Sequence, residues 1–305
     1  MRAIVTGASG LLGSYVATAL SADGVEVVGL DTKPPQARHP HIDASILDLE
    51  ALRRAFDGAD AVVHIAAAAN IGAGPPERII DLNAKGSWCV LEAALAAGVR
   101  RVVLCSTDSV MGNTVWRDHV WLPERLPVDE DHPLRPADPY GLSKLMAEEA
   151  GRAYARRGLD VVALRPVFIL FPGMVGEVRA RARDPEGYRG PCAGGHAPAG
   201  GGFLWHHVDP RDVAEAFRLA LRRPLRAGFS AYYLAAPSTL HPRPTLERIA
   251  EIFGRLPERV EEAVYAANPF APMFDTRRAA AELGWRPAYD HRGGLLDADD
   301  RSRAP

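Results

Sequence analysis

A tyrosine and a lysine stand four residues apart in the stretch YGLSK, and together they could carry proton chemistry. Lys144 is one of only three lysines in a chain that holds 36 basic residues, so its place after Tyr140 is unusual. Asp138 and Pro139 favour a helix start directly before the pair, and Gly158 favours its end. Side chains four positions apart on a helix share one face, so both groups can serve one site.

A phenol is a poor base at neutral pH, because its ordinary pKa is about 10. An ammonium group about 5 Å away would lower that pKa by about two units at an intermediate dielectric constant. The positive charge of an oxidised nicotinamide would lower it further. We therefore expect Tyr140 to exchange a proton with an alcohol or ketone, and Lys144 to tune its pKa.

A glycine-rich stretch, TGASGLLG, lies between the first apolar run and the first helical pattern. Glycines at this spacing allow a tight turn at Gly7, close approach of a pyrophosphate at Gly10, and close packing of helix on strand at Gly13. Leu11 and Leu12 then begin the helix, whose N-terminus favours an anion. The sequence thus predicts a dinucleotide site.

The second predicted strand ends at Asp31, about 20 residues after the glycines, where a carboxylate can accept hydrogen bonds from the adenosine ribose. A 2′-phosphate at this point would be repelled by about 1–4 kcal/mol. NAD is therefore favoured over NADP. Lys33 lies close enough to weaken that preference.

A third group should bind the reacting oxygen of the substrate. The stretch CSTDSVMG follows the fourth predicted strand, whose carboxyl end faces the cofactor cleft in a sheet of this kind. From position alone either Ser106 or Thr107 could donate the hydrogen bond. Alternatively, these polar residues only end the strand and bind no ligand.

These residues must be positioned by an alternation of strands and helices. Apolar runs predict strands at 3–7, 25–31, 60–67, 101–107 and 160–166, and helical patterns at 11–22, 49–57, 77–97 and 139–157 lie between them. This order predicts an α/β fold with a Rossmann-like, doubly wound parallel sheet. Beyond it the sequence predicts helices near 210–222, 245–254 and 276–283 and a strand at 231–236.

Two parts are expected in the chain. Residues 1–165 form the NAD-binding domain, and 208–236 pack back on it. A small substrate-binding part comprises 166–207 and 237–305. Within it, residues 191–202 hold five glycines in twelve positions and are either a lid or a disordered loop.

Composition narrows the class of protein. The 305 residues are 47% hydrophobic with a net charge of −2, so a globular enzyme of small-molecule chemistry is favoured and nucleic acid is not an expected partner. No secretory signal or membrane span is predicted, which favours the cytoplasm. Three scattered cysteines indicate neither a disulfide framework nor zinc, and His206 and His207 lack a third ligand, so no metal is predicted.

Taken together, the motifs resemble those of extended short-chain dehydrogenases/reductases, in the NAD-dependent epimerase/dehydratase family. The similarity covers nearly the whole chain and rests on TGASGLLG, Asp31, DL at 48–49, HIAA at 64–67, STDSVMG at 106–112, YGLSK, LRP at 164–166, HVDPRDVAEAF at 207–217 and DTRRAAAELGWRP at 275–287.

The resemblance implies further roles near the cofactor. Asp48 and Leu49 should approach the adenine, Lys144 should also bind the nicotinamide ribose, and Thr107 should be the hydroxyl partner of Tyr140. Further cofactor contacts are implied for Ala66, Ala67, Ala68, Asn83, Pro166 and Val167. A homodimer through the helices near 84–97 and 139–157 is also implied.

Substrate residues are less well specified. Asp108, Ser109 and Phe168 are candidates. Trp116 and Trp121 in the segment 113–135 could stack on a sugar, unless that segment buries its own aromatic residues. Sugar-nucleotide dehydratases typically carry Glu where this chain has Ser109, so dehydration is disfavoured, although Asp108 could serve as a second acid. The stretch between Pro166 and Phe203 is also shorter than the nucleotide-binding segment of such enzymes.

Three functions stay open. The first is hydride transfer between NAD and a secondary alcohol or ketone of a sugar or nucleotide sugar, as net redox or within an epimerase. The second is a reductase or dehydrogenase of a smaller substrate, such as a sugar acid, a cyclitol or a natural-product alcohol. The third is a non-catalytic protein that senses the dinucleotide.

Overall fold

The computed structural model describes residues 1–35, 39–112, 121–184, 187–188, 205–224 and 228–296. The predicted loop at 191–202 and Trp116 lie outside these residues. Within the described part of the chain, no helix combines the length and the apolar character that crossing a bilayer requires.

Short apolar runs form the strands. In chain order these are β1 (Arg2–Thr6), β2 (Glu26–Asp31), β3 (His41–Asp43), β4 (Ala61–His64), β5 (Arg101–Cys105), β6 (Arg125–Leu126), β7 (Asp160–Pro166), β8 (Phe229–Leu234) and β9 (Arg259–Val260). Seven of them form one sheet in the order β3-β2-β1-β4-β5-β7-β8, and every neighbouring pair is parallel. The predicted Rossmann-like sheet is thereby confirmed, with β3 as an edge strand that the sequence analysis did not predict.

The α-helices lie between and after the strands along the chain. They are α1 (Leu11–Ala22), α2 (Leu49–Ala55), α3 (Pro76–Ile80), α4 (Gly86–Ala96), α5 (Pro139–Ala155), α6 (Val175–Arg183), α7 (Pro210–Arg222), α8 (Thr245–Phe253), α9 (Glu262–Ala267) and α10 (Arg292–Leu296). One uninterrupted helix was predicted over 77–97. Instead, a π-helical turn at Asp81–Lys85 separates α3 from α4.

Alternate residues of the strands pack against the helix layers on the two faces of the sheet. On β1, Ala3 and Val5 pack in the cluster that contains α1 and α7, whereas Ile4 packs in the cluster that contains α2 and α4. All three side chains are fully buried, which is why the strand has a continuous apolar run and no polar alternation. β8 pairs with β7 in this sheet, so residues 229–234 belong to its architecture.

The chain path creates a crevice. From β1 the strands run outward to β2 and β3, and the chain then returns to place β4 on the other side of β1. The loops that follow neighbouring strands therefore diverge at the carboxyl ends of β1 and β4. Ligands of doubly wound sheets bind at this switch point.

Candidate functional site

A cleft of about 770 Å³ opens at the carboxyl ends of β1, β2, β4, β5 and β7. It brings together most of the residues that were singled out from the sequence. Its lining includes Gly7, Gly10, Leu11, Leu12, Gly13, Asp31, Ala66, Ala67, Ala68, Thr107, Asp108, Ser109, Tyr140, Lys144, Pro166, Val167 and Phe168.

The glycine loop is built without room for side chains. Gly7 has φ +74°, and a Cβ atom there would lie 2.6 Å from the Ala66 nitrogen. A Cβ atom on Gly13 would lie 2.0 Å from the Gly7 carbonyl oxygen, so α1 packs directly on the turn. Gly10 is the N-cap of α1, and no side chain caps the helix there. The amide groups of its first turn are therefore available to an anion in the cleft.

Asp31 is held at the end of β2 by two backbone amides. Its Oδ2 accepts a hydrogen bond from the Ser9 amide at 3.1 Å, and its Oδ1 accepts one from the Lys33 amide at 3.0 Å. Each carboxylate oxygen keeps a lone pair for a further donor. The carboxylate is thus oriented at the cleft wall, where vicinal hydroxyls of a ribose would be recognised.

The described residues fit a dinucleotide. An anion-binding helix end, a fixed carboxylate and a run of small residues, Ala66 to Ala69, line one continuous cleft. The small residues leave space for a flat ring against the backbone, and the volume lies within the range of cofactor pockets. Lys33 also lines the cleft, beside Asp31.

Three predicted cofactor contacts do not line this cleft. Asp48 is exposed and caps α2, because its Oδ1 accepts a hydrogen bond from the Ala51 amide at 2.9 Å. Leu49 begins the same helix, and Ser45 and Ile46 line the cleft beside them. Sequence reasoning missed these two because the strand that delivers them, β3, is only three residues long.

Asn83, the third of these contacts, lies beneath the cleft wall. Its side chain is buried within the π-helical turn, where its Oδ1 accepts from the Ala68 amide at 2.7 Å and its Nδ2 donates to the Ala68 carbonyl at 3.0 Å. Nδ2 also donates to the Ser143 hydroxyl at 2.9 Å. Asn83 therefore shapes the cofactor wall and joins it to α5 without touching the cleft.

Tyr140 and Lys144 both line the cleft from the first turns of α5. Asp138 caps this helix by accepting a hydrogen bond from the Gly141 amide at 2.8 Å. A Cβ atom on Gly141 would lie 2.6 Å from the Ser109 carbonyl oxygen, so glycine is required for the helix to start against this loop. Lys144 is buried, and its Nζ donates to the Cys105 carbonyl at 2.8 Å.

Protonation of this pair differs from the sequence-based expectation. Burial raises the pKa of the Tyr140 phenol above its ordinary value, and a hydrogen bond from the Thr107 side chain opposes that shift only in part. Burial also lowers the pKa of Lys144. From the sequence, the nearby ammonium was expected to lower the pKa of the phenol, and an oxidised nicotinamide to lower it further. Desolvation dominates instead, and Tyr140 is a protonated donor at neutral pH.

Thr107, Asp108 and Ser109 form a compact hydroxyl and carboxyl group opposite Tyr140. The Thr107 hydroxyl lies 3.1 Å from Asp108 Oδ1 and 3.2 Å from Ser109 Oγ, and it accepts from the Ser109 amide. Burial raises the pKa of the Asp108 carboxyl to about 7. Asp108 can therefore hold or release a proton close to neutral pH.

The part of the cleft wall that follows β7 is apolar. Phe168, Ile169, Phe171 and Met174 line it after β7, of which only Phe168 was predicted. The sequence signal for Ile169 and Phe171 was the apolar run VFILF that follows Pro166, and Met174 lies three residues beyond that run. Trp121, within the segment 113–135, stacks on His132 with ring centroids 5.2 Å apart and lies under the Arg135 guanidinium at 4.5 Å.

Comparison with known proteins identifies the family of this chain. The family model for the NAD-dependent epimerase/dehydratase family matches residues 3–232. A UDP-glucose 4-epimerase of Streptomyces lividans is 29% identical over 97% of this chain and 94% of its own length. An L-arabinose 1-dehydrogenase (NAD(P)(+)) of Haloferax volcanii is 36% identical over 61% of this chain and 72% of its own length.

A solved structure shares the whole architecture. A short-chain dehydrogenase/reductase superfamily protein from Agrobacterium tumefaciens, crystallised with bound NAD, aligns with a TM-score of 0.71 and 28% identity over 99% of this chain and 97% of its own. With a family model that spans three quarters of the sequence and a matching parallel sheet, the chain belongs to the NAD-dependent epimerase/dehydratase family.

Proposed function

We propose that the protein is an NAD-dependent oxidoreductase or epimerase that acts on a secondary alcohol or ketone of a sugar or nucleotide-sugar-like substrate. One observation carries the proposal. Tyr140, Lys144 and Thr107 line the same cleft as the glycine loop and Asp31. An acid/base group and a dinucleotide site in one cleft are what hydride transfer requires, and a protein that only senses a dinucleotide has no need of the former.

Cofactor binding is assigned to the residues of the cleft wall. The first turn of α1 would hold the pyrophosphate, Asp31 the adenosine ribose, and Lys144 the nicotinamide ribose. The Asp31 carboxylate would repel a 2′-phosphate, which favours NAD over NADP. Bound NAD supplies the acceptor or donor of hydride.

Tyr140 handles the proton. Because its pKa is raised, the phenol is ready to donate a proton to a substrate ketone as the carbonyl is reduced. The reverse reaction needs the phenolate, which the Lys144 ammonium and an oxidised nicotinamide nearby would both stabilise. The Thr107 hydroxyl would orient the reacting oxygen toward Tyr140.

A second candidate is a reductase or dehydrogenase of a small substrate without a nucleotide. The apolar lining by Phe168, Ile169, Phe171 and Met174 favours it, since none of these four side chains offers a charge to a diphosphate. The similarity to the L-arabinose 1-dehydrogenase of Haloferax volcanii is consistent with it. Both candidates use the same cofactor and the same acid/base group.

A homodimer through α4 and α5 is part of the proposal. Trp88 on α4 and Leu142 and Met146 on α5 are large apolar side chains that are more than 40% exposed. Sedimentation velocity tests it: the wild-type protein should sediment as a dimer and Met146→Glu as a monomer. A wild-type protein that is monomeric at every concentration contradicts it.

Turnover of a substrate panel tests the function. Free sugars, sugar acids and nucleotide sugars are incubated with NAD, NADH is followed by absorbance, and isomers are separated by chromatography. Net NADH would identify a dehydrogenase, and an isomer without net NADH an epimerase. Tyr140→Phe should lower kcat by about 10²- to 10⁴-fold while NAD still binds. Undiminished turnover in this variant removes Tyr140 from its role.

A further inference from the structure

An ion pair between Glu148 and Arg165 lies fully buried behind the cleft, with both side chains at 0% exposure. Arg165 Nε donates to Glu148 Oε1 at 2.9 Å, and its Nη2 donates to Oε2 at 2.7 Å. The Ser106 hydroxyl donates to the same Oε1 at 2.6 Å. The guanidinium and the carboxylate are thus joined by two parallel bonds, a geometry that fixes rotation as well as distance.

Each of the three side chains belongs to an element that carries part of the candidate site. Glu148 follows Tyr140 by eight residues and Lys144 by four, so it lies on the same face of α5. Ser106 directly precedes Thr107. Arg165 lies on β7, directly before the cleft-lining Pro166 and Val167. The ion pair therefore ties the helix of the acid/base group to both strand exits that face it.

Stability alone does not explain such a pair. Removing two charges from water costs about as much as their attraction returns, and well-packed apolar side chains of similar size are often equally stable or more so. Arg165 Nη1 even has no hydrogen-bond partner among the described residues. Although burial opposes ionisation, Arg165 holds the pKa of Glu148 below its ordinary value, so the charged pair persists.

We propose that Glu148 and Arg165 are positioning residues that set Tyr140 and Lys144 against Thr107. The proposal rests on the function proposed above. A bidentate ion pair permits one register of α5 on β5 and β7, whereas an apolar contact tolerates sliding and rotation. Small displacements matter here, because a shift of about 1 Å in a catalytic group can lower a rate by about 100-fold.

The test uses three variants of the full-length protein. Glu148→Gln leaves Arg165 charged and buried without its counter-ion. The double variant Glu148→Met with Arg165→Met replaces the pair by apolar side chains of similar volume. Glu149→Gln, next to Glu148, is the matched control, because Glu149 is exposed and pairs with Arg152 at the surface.

The double variant separates positioning from stability. We expect it to keep the melting temperature of the wild-type protein but to lose about 10- to 100-fold in kcat, with the KM for NAD changed by less than about threefold. Glu148→Gln should lose both melting temperature and kcat, and Glu149→Gln neither. Wild-type kcat in a folded double variant would overturn the proposal.

A second readout does not depend on turnover. In protein labelled with ¹³C at the tyrosine ζ carbon, the Tyr140 signal is assigned by its loss in Tyr140→Phe, and its pKa is followed by titration. The double variant should shift this pKa relative to the wild-type protein, and Glu149→Gln should not. An unchanged Tyr140 pKa in the double variant contradicts positioning. If instead the wild-type protein turns over no substrate, the proposed function fails while this titration still decides the positioning role.

Discussion

The two walls of the cleft differ in composition, since one is formed mainly by backbone and small residues and the other by bulky apolar side chains. The proposed cofactor wall consists mainly of backbone amides, glycines and alanines, and two backbone amides hold the carboxylate of Asp31 in place there. On the proposed substrate wall, bulky apolar side chains such as Phe168 and Met174 follow β7. The shape of the first wall is set by the backbone at the strand ends and at a helix N-terminus. The shape of the second wall is set by side chains. We therefore expect substitutions on the cofactor wall to act on NAD affinity, and those on the substrate wall to act on substrate KM.

Gly13→Ala should have the largest effect on the cofactor wall. The added methyl group would lie 2.0 Å from the Gly7 carbonyl oxygen, so α1 must move away from the turn. Overpacking of this kind costs about 1–3 kcal/mol. We expect a lower melting temperature and NAD affinity reduced by about 100-fold in calorimetric titration. Gly176→Ala on α6 is the control and should bind NAD normally, because the added methyl group would meet no described residue outside its own helix backbone within 4 Å. Normal affinity in Gly13→Ala would contradict the comparison.

Asp31→Ala should weaken NAD binding by about 10- to 100-fold, since hydrogen bonds to a charged group contribute about 1.5–3 kcal/mol. The preference for NAD over NADP should narrow as well, because the repulsion of a 2′-phosphate disappears. Asp43→Ala is a matched control, since Asp43 pairs with Asp31 in register on β3 but is exposed and not part of the cleft lining. Equal NAD affinities in the two variants would remove Asp31 from the ribose site.

Phe168→Ala tests the other wall. We expect the substrate KM to rise about tenfold through lost apolar contact, with the dissociation constant of NAD unchanged. Phe253→Ala on α8, a partly buried phenylalanine outside the cleft lining, controls for general loosening of the core. If Phe168→Ala weakened NAD as strongly as Asp31→Ala does, the division into two walls would be wrong.

Asp108 provides a smaller, pH-dependent effect at the junction of the walls. Its pKa is raised to about 7 by burial, so the folded state binds this proton more tightly than the unfolded state does. Its contribution to stability is therefore complete below about pH 4 and is lost as the pH rises to about 7.

Asp108→Asn has no carboxyl group to ionise, so it does not lose this stability as the pH rises. The melting temperature of the variant minus that of the wild-type protein should therefore increase by a few degrees between about pH 4 and pH 7 and stay constant above pH 7. Differential scanning calorimetry from pH 4 to 9 measures this gain, with the exposed Asp43→Asn as the control. A constant difference over the whole range would show that the Asp108 carboxyl is not desolvated.

The same division explains what could be predicted from the sequence. A glycine loop between a strand and a helix leaves little freedom, because residues such as Gly7 and Gly13 are required by backbone geometry that is local in the chain. The parallel sheet followed from continuous apolar runs in strands buried on both faces. These parts of the fold and the cofactor wall were therefore accessible from local patterns.

What was missed depends on distant or buried groups. Asn83 was expected among the cofactor contacts, but the sequence has no clear signal for the π-helical turn in which its amide pairs with Ala68. Glu148 and Arg165, which form the bidentate ion pair, are 17 positions apart on different elements, so no local sequence pattern predicts their contact. The raised pKa of Tyr140 depends on how much water the folded cleft excludes, which the spacing from Lys144 cannot tell.

Titration of Tyr140 with and without NAD tests the central claim most directly. In protein labelled at the tyrosine ζ carbon, the pKa of the Tyr140 phenol should lie above its ordinary value when no dinucleotide is present. Saturating oxidised NAD should then lower it, because a positively charged ring arrives beside the phenol while Lys144 stays in place. A Tyr140 pKa that is the same with and without NAD, at a concentration shown by calorimetry to saturate the protein, would contradict a site in which this tyrosine serves the cofactor. Absence of NAD binding altogether would contradict the account at its first step.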